Sequence, residues 1–241
     1  MNYSENFKQA IELGTYLGTG NPNSKILVIG KEVATDVEEG IDKKLETQNL
    51  VSFNNNCNDW KKNINEQISQ ENIPNWNGNE NNPLYAFKGV KIKKEGHTWR
   101  KYQKLNNLIF DKKNNNEINF QEEFFITEMS ILPSKTTSKA QKMSNFKDEL
   151  KKRKESFFNS DYIQDFPIII LACGNYISGE EITKIFKVKF IEEKGSERQK
   201  FWIHWNDEKT KLVIHTRQLS ANVSNELLLG IANEIKKILN K

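Results

Sequence analysis

Four short apolar runs constrain the fold more than any other feature of this 241-residue chain. They lie at residues 25–30, 123–128, 167–174 and 211–215. Each is rich in Ile, Leu, Val or Phe and lacks the alternation of a half-exposed strand, which is the pattern of strands buried on both faces. Amphipathic helical segments lie between and after the runs, for example residues 98–110 before the second run and 224–239 after the fourth. We therefore predict the α/β class, as a three-layer α/β/α sandwich around a central, mostly parallel sheet of about four strands.

Two further segments stand outside this pattern. Residues 188–204 predict a hairpin, because apolar positions alternate on either side of a turn at Gly195 and Ser196. Residues 49–82 are rich in Asn and contain Trp60 and Trp76. We interpret them as an insertion with one helix near residues 59–70, which either caps the site or is anchored to the core by its tryptophans. A chain of this length can bury one core, so we expect a single domain over residues 1–241.

The composition excludes several classes of protein. Lys and Arg number 36 against 32 Asp and Glu, and the resulting charge of +4 permits a nucleic-acid partner without requiring one. No run approaches the roughly 18 apolar residues of a membrane span, and residues 1–20 lack the pattern of a secretory signal, so we expect a cytoplasmic protein with no membrane association. Cys57 and Cys173 are too few for a disulfide framework or an iron–sulfur cluster. The three histidines lack a short ligand spacing, so we expect no metal and no cofactor.

The default site of an open α/β sheet lies at the carboxyl ends of its parallel strands. The residues that end or follow the four runs at this edge are Gly30, Lys31 and Glu32, then Glu128, then Asn175, and finally His215. Two carboxyl groups and an imidazole suit acid–base or electrostatic catalysis. Taken singly, Glu32 is equally a solvated loop carboxylate, His215 a structural histidine, and Glu128 the partner of a nearby Lys or Arg. No phosphate-loop or dinucleotide motif accompanies them.

The order of these segments resembles the uracil-DNA glycosylase superfamily over about residues 25–235. Gly-Lys-Glu-Val-Ala-Thr at 30–35 is similar to the first motif of that family. His-Thr-Arg-Gln-Leu-Ser at 215–220 is similar to the second motif, usually His-Pro-Ser-Pro-Leu-Ser. Leu-Ala-Cys-Gly-Asn-Tyr-Ile at 171–177 resembles the strand Leu-Leu-Trp-Gly-x-Tyr-Ala. Residues 125–128 stand where the family has an apolar run that ends in the Asn reading the base.

The resemblance implies an N-glycosylase that flips a base out of DNA into a pocket. It assigns the positioning of the attacking water to Glu32 and the stabilisation of the leaving base to His215. Base recognition is implied for Glu128 and Asn175. Leu219 is implied to fill the gap in the base stack. The remaining implied roles are DNA contacts for Arg217 and Ser220 and pocket positions for Gly30, Lys31 and Trp99.

Departures from the motifs leave three hypotheses open. Thr216 and Gln218 replace both prolines of the second motif, so the loop is expected to be less preorganised. An ionised Glu128 only accepts hydrogen bonds and would repel a carbonyl of uracil, whereas a protonated one would mimic an amide if burial raised its pKa. The chain is therefore an N-glycosylase for an unusual or modified base, or a non-catalytic nucleic-acid or nucleotide-binding protein on the same fold. The third hypothesis is a different α/β enzyme, such as a hydrolase, with no relation to DNA, in which Cys173 is either a nucleophile at a strand end or a buried strand residue.

Overall fold

The computed structural model describes residues 1–34, 43–69, 71–78, 81–92, 97–113 and 116–239. The strands there are β1 (Thr19–Gly20), β2 (Ile26–Gly30), β3 (Phe124–Glu128), β4 (Ile168–Leu171), β5 (Lys189–Ser196), β6 (Gln199–Trp205) and β7 (Leu212–Thr216). The helices are α1 (Glu5–Glu12), α2 (Lys43–Asn63), α3 (His97–Ile109), α4 (Thr137–Gln141), α5 (Phe146–Glu155), α6 (Asp161–Gln164), α7 (Gly179–Phe186) and α8 (Asn225–Leu239). Short 3₁₀ turns occupy Phe120–Glu122 and Gly174–Tyr176.

The described strands form one mixed sheet of seven, in the order β1-β3-β2-β4-β7-β6-β5. Its middle is parallel and consists of β3, β2, β4 and β7, which are the four apolar runs. The expectation of about four strands is therefore corrected, because antiparallel strands extend both edges: β1 beside β3, and the β5–β6 hairpin beside β7. The predicted hairpin is present, but Ser196 pairs with Gln199, so its turn lies at Glu197 and Arg198 rather than at Gly195 and Ser196.

Both faces of the parallel strands are covered, which explains why their sequences are continuously apolar. Alternate residues such as Leu27 and Ile29 enter one core, with side chains from α1, α2, α6 and α7. Their neighbours Ile26 and Val28 enter a second core, with side chains from α3 and α8. The pleat of a strand directs successive side chains to opposite faces, so one apolar run supplies both cores. The chain thus builds the expected layers of helix, sheet and helix.

The Asn-rich segment is anchored to the first core. Its helix is α2, which ends at Asn63, so the prediction of a helix near residues 59–70 was wrong in position. Trp60 is fully buried against Phe7, and its indole donates a hydrogen bond of 2.8 Å to the oxygen of Gly18. Asn56 donates to the same oxygen at 2.8 Å. Residues 70, 79 and 80 of the predicted insertion lie outside the described residues, as do 35–42 after β2.

None of the helices in the described ranges is long and apolar enough to cross a membrane.

Candidate functional site

The strand order creates a crevice between the carboxyl ends of β2 and β4. From β2 the chain places β3 on one side and then crosses to β4 on the other side. Ligands of open parallel sheets bind where the order reverses in this way, because the loops that follow the two strands separate. Lys31 and Glu32 follow β2 at this point, and the turn Gly174–Tyr176 follows β4.

Main-chain hydrogen bonds hold the loop after β2 against the loop after β3. Ser130 donates to the oxygen of Lys31 at 2.7 Å, and Ser134 donates to the oxygen of Val33 at 3.0 Å. Glu32 lies between these two bonded positions, so its backbone is fixed. Helix α4 begins shortly afterwards, which brings the Thr137 hydroxyl to Glu32.

Glu32 is a buried carboxylate with an unused oxygen. The residue is 8% exposed, and its Oε1 accepts a hydrogen bond of 2.9 Å from the Thr137 hydroxyl. Its Oε2 and the hydroxyl of Tyr176 are both buried, and neither has an aligned hydrogen-bond partner among the described residues. Burial, followed by the neighbouring Glu32 carboxylate, raises the pKa of Tyr176 above its usual range. Lys31 places its Nζ 5.0 Å from the ring centre of Tyr176. The crevice therefore brings together the Glu32 carboxyl group, the hydroxyls of Tyr176 and Thr137, and the Lys31 ammonium group.

Glu128, the last residue of β3, lies over Gly30 of β2. A Cβ atom at Gly30 would be 2.1 Å from Oε2 of Glu128, so the absence of a side chain at residue 30 is what allows this approach. Burial, followed by the charge of Glu32, raises the pKa of Glu128 to about 8. Arg153 opposes this rise, but its Nε donates to the main-chain oxygen of Glu128 at 2.8 Å. Burial and the neighbouring Glu32 side chain thus favour the protonated form of Glu128.

His215 stands on the other side of the Gly174 turn. Its Nε2 lies 2.8 Å from the oxygen of Gly174, and burial lowers the pKa of the imidazole. A neutral ring that donates from Nε2 to this carbonyl accounts for the contact. Val213 and Ile126 enter the two different cores. The pleat therefore directs His215 and Glu128 to opposite faces of the sheet. The structure brings Glu32 and Glu128 together, and His215 contacts the turn after β4 through the oxygen of Gly174.

His215 instead lines two open clefts together with Trp202, whose ring centre is 5.2 Å away. We call them the aromatic cleft and the basic cleft. The aromatic cleft, of about 390 Å³, is lined by Gly179, Glu180, Thr183, Phe190, Trp202, His204 and His215. The basic cleft, of about 440 Å³, is lined by Gly174, Asn175, Ile177, Glu197, Arg198, Lys200, Trp202, His215 and Arg217. Asn175 is therefore an exposed residue of the basic cleft, and Arg217 donates to the oxygen of Arg198 at 2.8 Å there.

Two of the predicted site residues belong to the core. Leu219 is 1% exposed and packs in the core beneath α3 and α8, so the prediction that it fills a base stack is corrected: its side chain would have to leave the core to do so. Trp99 packs against Phe87 and Phe120, with ring centres 5.2 Å apart in each pair. It is therefore part of the aromatic packing around α3 rather than of the predicted pocket. Ser220, next to Leu219, is half-buried.

The site also contains residues that sequence reasoning missed. Tyr176 lies inside the segment 171–177 that carries the resemblance, so its position there was a usable signal. Thr137 carries no such signal, because only the fold of the loop after β3 brings it to Glu32. Trp202 lies between the alternating apolar positions Phe201 and Ile203 of the hairpin, which marked it as a strand residue but not as a cleft residue.

The described residues do not favour Cys173 as a nucleophile, and they do not form a metal-binding group. Cys173 is fully buried, and burial raises the pKa of its thiol to about 12, so the thiol is protonated at neutral pH and cannot act as a nucleophile. Within the described ranges no group of three His, Cys, Asp or Glu residues lies close enough to hold a metal ion.

Comparison of the chain with protein-family models, with curated proteins and with solved structures finds no match. A functional proposal therefore depends on the geometry of the crevice and on the resemblance of the motifs.

Proposed function

We propose that the protein is an N-glycosylase that hydrolyses the glycosidic bond of an unusual or modified base flipped out of DNA, in the cytoplasm and without a cofactor. The observation that carries the proposal is the pair of carboxyl groups in the crevice. Oε2 of Glu32 has no aligned hydrogen-bond partner among the described residues, and burial followed by the Glu32 charge raises the pKa of Glu128 beside it to about 8. Two carboxyl groups kept in different protonation states are the arrangement that glycosidic-bond hydrolysis uses.

Each group has a defined part in this reaction. Breaking the bond leaves positive charge on the sugar and negative charge on the departing base. Glu32 stabilises the sugar cation and orients a water molecule, which adds to the anomeric carbon and gives up a proton to the Glu32 carboxylate. Protonated Glu128 donates a hydrogen bond or its proton to the base as it leaves. The Thr137 hydroxyl fixes the orientation of the Glu32 carboxylate.

The protonation of Glu128 also bears on the choice of base. A carboxylic acid presents one donor and one acceptor, as an amide does, so it accepts a base edge that carries a carbonyl. An ionised carboxylate presents acceptors only and favours an exocyclic amine. Protonated Glu128 therefore admits uracil as one base among several, and the accepted bases are expected to change as the pH rises through about 8.

The test is the release of free base, followed by mass spectrometry. The substrates are single- and double-stranded oligonucleotides that carry uracil, hypoxanthine, xanthine or modified cytosines. Glu32→Gln keeps the shape of the side chain and removes its charge, so it should abolish release while the protein stays folded. Glu155→Gln, an exposed residue at the end of α5, is the matched control and should release base normally. Release that persists undiminished in Glu32→Gln would reject the assigned role.

A second candidate is a non-catalytic nucleic-acid-binding protein on the same fold. The observation that favours it is the state of the second motif: Leu219 is buried in the core, and Nε2 of His215 is occupied by the oxygen of Gly174. This candidate predicts that the same oligonucleotides bind with strong salt dependence and that no base is released.

A further inference from the structure

Four rings form a platform on the antiparallel part of the sheet, away from the carboxyl pair. Phe190 of β5 pairs with His204 of β6, and Trp202 of β6 pairs with His215 of β7. The ring centres are 5.6 Å apart in the first pair and 5.2 Å apart in the second. Phe190 is 56% exposed, so an aromatic ring on an edge strand stands open to solvent. Together with the other three rings it lines one cleft, and contiguous apolar surface of this kind marks a contact site.

A hydrogen bond holds the Trp202 indole in a fixed orientation, which favours stacking of a ligand on its ring. Its Nε1 donates to Oε2 of Glu193 at 2.9 Å, and Lys200 pairs with Oε1 of the same carboxylate at 2.6 Å. This chain of contacts fixes the ring before any ligand arrives, so little conformational freedom is lost on binding.

The two sides of the platform differ in charge. The basic cleft carries the guanidinium groups of Arg198 and Arg217 against the single carboxylate of Glu197, whereas Lys200 is already paired with Glu193. Guanidinium groups bind phosphate oxygens in a bidentate manner. The aromatic cleft contains an unsatisfied polar atom: His204 is 3% exposed, and its Nδ1 has no hydrogen-bond partner among the described residues.

We propose that this platform binds single-stranded DNA, with a base stacked on Trp202 in the aromatic cleft and the adjoining phosphates on Arg198 and Arg217 in the basic cleft. Stacking rings next to a cationic groove are the usual means of holding a single strand without regard to sequence. A duplex does not offer the free face of a base to Trp202. The inference rests on the proposed function for its nucleic-acid substrate and adds that the strand to be processed is held unpaired.

The experiment measures binding of a fluorescein-labelled dodecamer of thymidine by anisotropy, at two salt concentrations, for the full chain. Trp202→Ala should weaken binding tenfold or more, since stacking of one base on an aromatic ring is worth about one to two factors of ten. Trp202→Phe retains a ring and should bind close to wild type. Arg198→Gln should weaken binding and lower the slope of log affinity against log salt by about 0.7 for each phosphate that the variant no longer binds. Lys209→Gln, an exposed lysine away from both clefts, is the charge control.

Wild-type affinity in both Trp202→Ala and Arg198→Gln would overturn the proposal, and so would equally tight binding of a duplex dodecamer by the wild-type protein. Should Trp202→Ala fail to fold, the exposed Arg198→Gln variant alone decides. The outcome is separable from that of the proposed function. If base release is intact and Trp202→Ala does not raise its KM, only the platform is refuted. If Trp202→Ala loses binding but no wild-type release is found, only the glycosylase is refuted.

Discussion

Replacement of Glu128 with Gln should remove a pH-dependent cost of folding. The pKa of Glu128 rises from its usual value of 4.5 to about 8 in the folded chain, through burial and then through the charge of Glu32. Between these two values the folded protein keeps a proton that the unfolded chain releases. The free energy of unfolding therefore falls as the pH rises through this range, because the unfolded state binds fewer protons than the folded state.

The magnitude follows from the two pKa values. Each pH unit between 4.5 and about 8 removes at most about 1.4 kcal/mol of stability. The window of 8 − 4.5, or about 3.5 units, gives a ceiling of about 5 kcal/mol. The true value lies below this ceiling because Glu128 keeps some exposed surface. A Gln side chain cannot ionise, so the Glu128→Gln variant should gain stability over the wild type throughout this window and keep a constant advantage above pH 8.

Urea unfolding at several pH values from 4.5 to 9, followed by tryptophan fluorescence, measures this difference. The chain contains 5 Trp residues, and Trp60 is a buried reporter. Glu155→Gln is the control, since an exposed carboxylate should give a difference that does not depend on pH. A stability difference between Glu128→Gln and the wild type that stays flat across the whole pH range would show that Glu128 titrates normally, and would remove the asymmetry on which the catalytic proposal depends.

The remaining predictions concern the same crevice and the anchoring of helix α2 to the core. Glu32→Gln should lower the pKa of Glu128, and a urea series in that background should show the midpoint of the stability loss at a lower pH. Gly30→Ala should displace the flexible Glu128 carboxyl at little cost in stability, so base release should fall while the urea midpoint stays within about 1 kcal/mol of wild type. Trp60→Ala should lower the free energy of unfolding by about 3–5 kcal/mol in the same assay, because it empties a fully buried site and removes the donor to Gly18. A decrease below about 1 kcal/mol would contradict the anchoring of α2.

The parallel centre of the fold could be predicted from the sequence because strands buried on both faces leave continuous apolar runs. The edge strand β1 leaves no such mark. It has two residues, and it forms because Gly20 approaches β3 so closely that a Cβ atom would be 2.2 Å from the oxygen of Phe124. The position of helix α2 was predicted incorrectly for a related reason. Its Asn-rich sequence has weak helix propensity, and tertiary contacts through Trp60 and Asn56 hold it.

Only those contacts of the candidate site that follow from the parallel direction of the strands could be predicted. Glu32 follows β2 and Glu128 ends the adjacent parallel strand β3, so their proximity follows from the sheet. The contacts that orient Glu32 could not be predicted, since Thr137 reaches it from a separate helix after a long loop. The position of Leu219 in the core could not be predicted from the sequence either, because the six residues of the second motif do not show which side chains point into the core.

The proton on Glu128 affects both the stability of the fold and the proposed reaction. An amide at this position would have the same shape and two donor hydrogens, and it would avoid the loss of stability with rising pH. A carboxylic acid differs from that amide in one respect, since it can give up a proton and take it back. If Glu128→Gln is more stable and no longer releases base, the proton at residue 128 is used in the reaction, and the folding cost is a consequence of function. If the variant is more stable and releases base as before, Glu128 serves only to contact the base, and proton transfer must come from elsewhere in the crevice, where the Tyr176 hydroxyl lies beside Glu32.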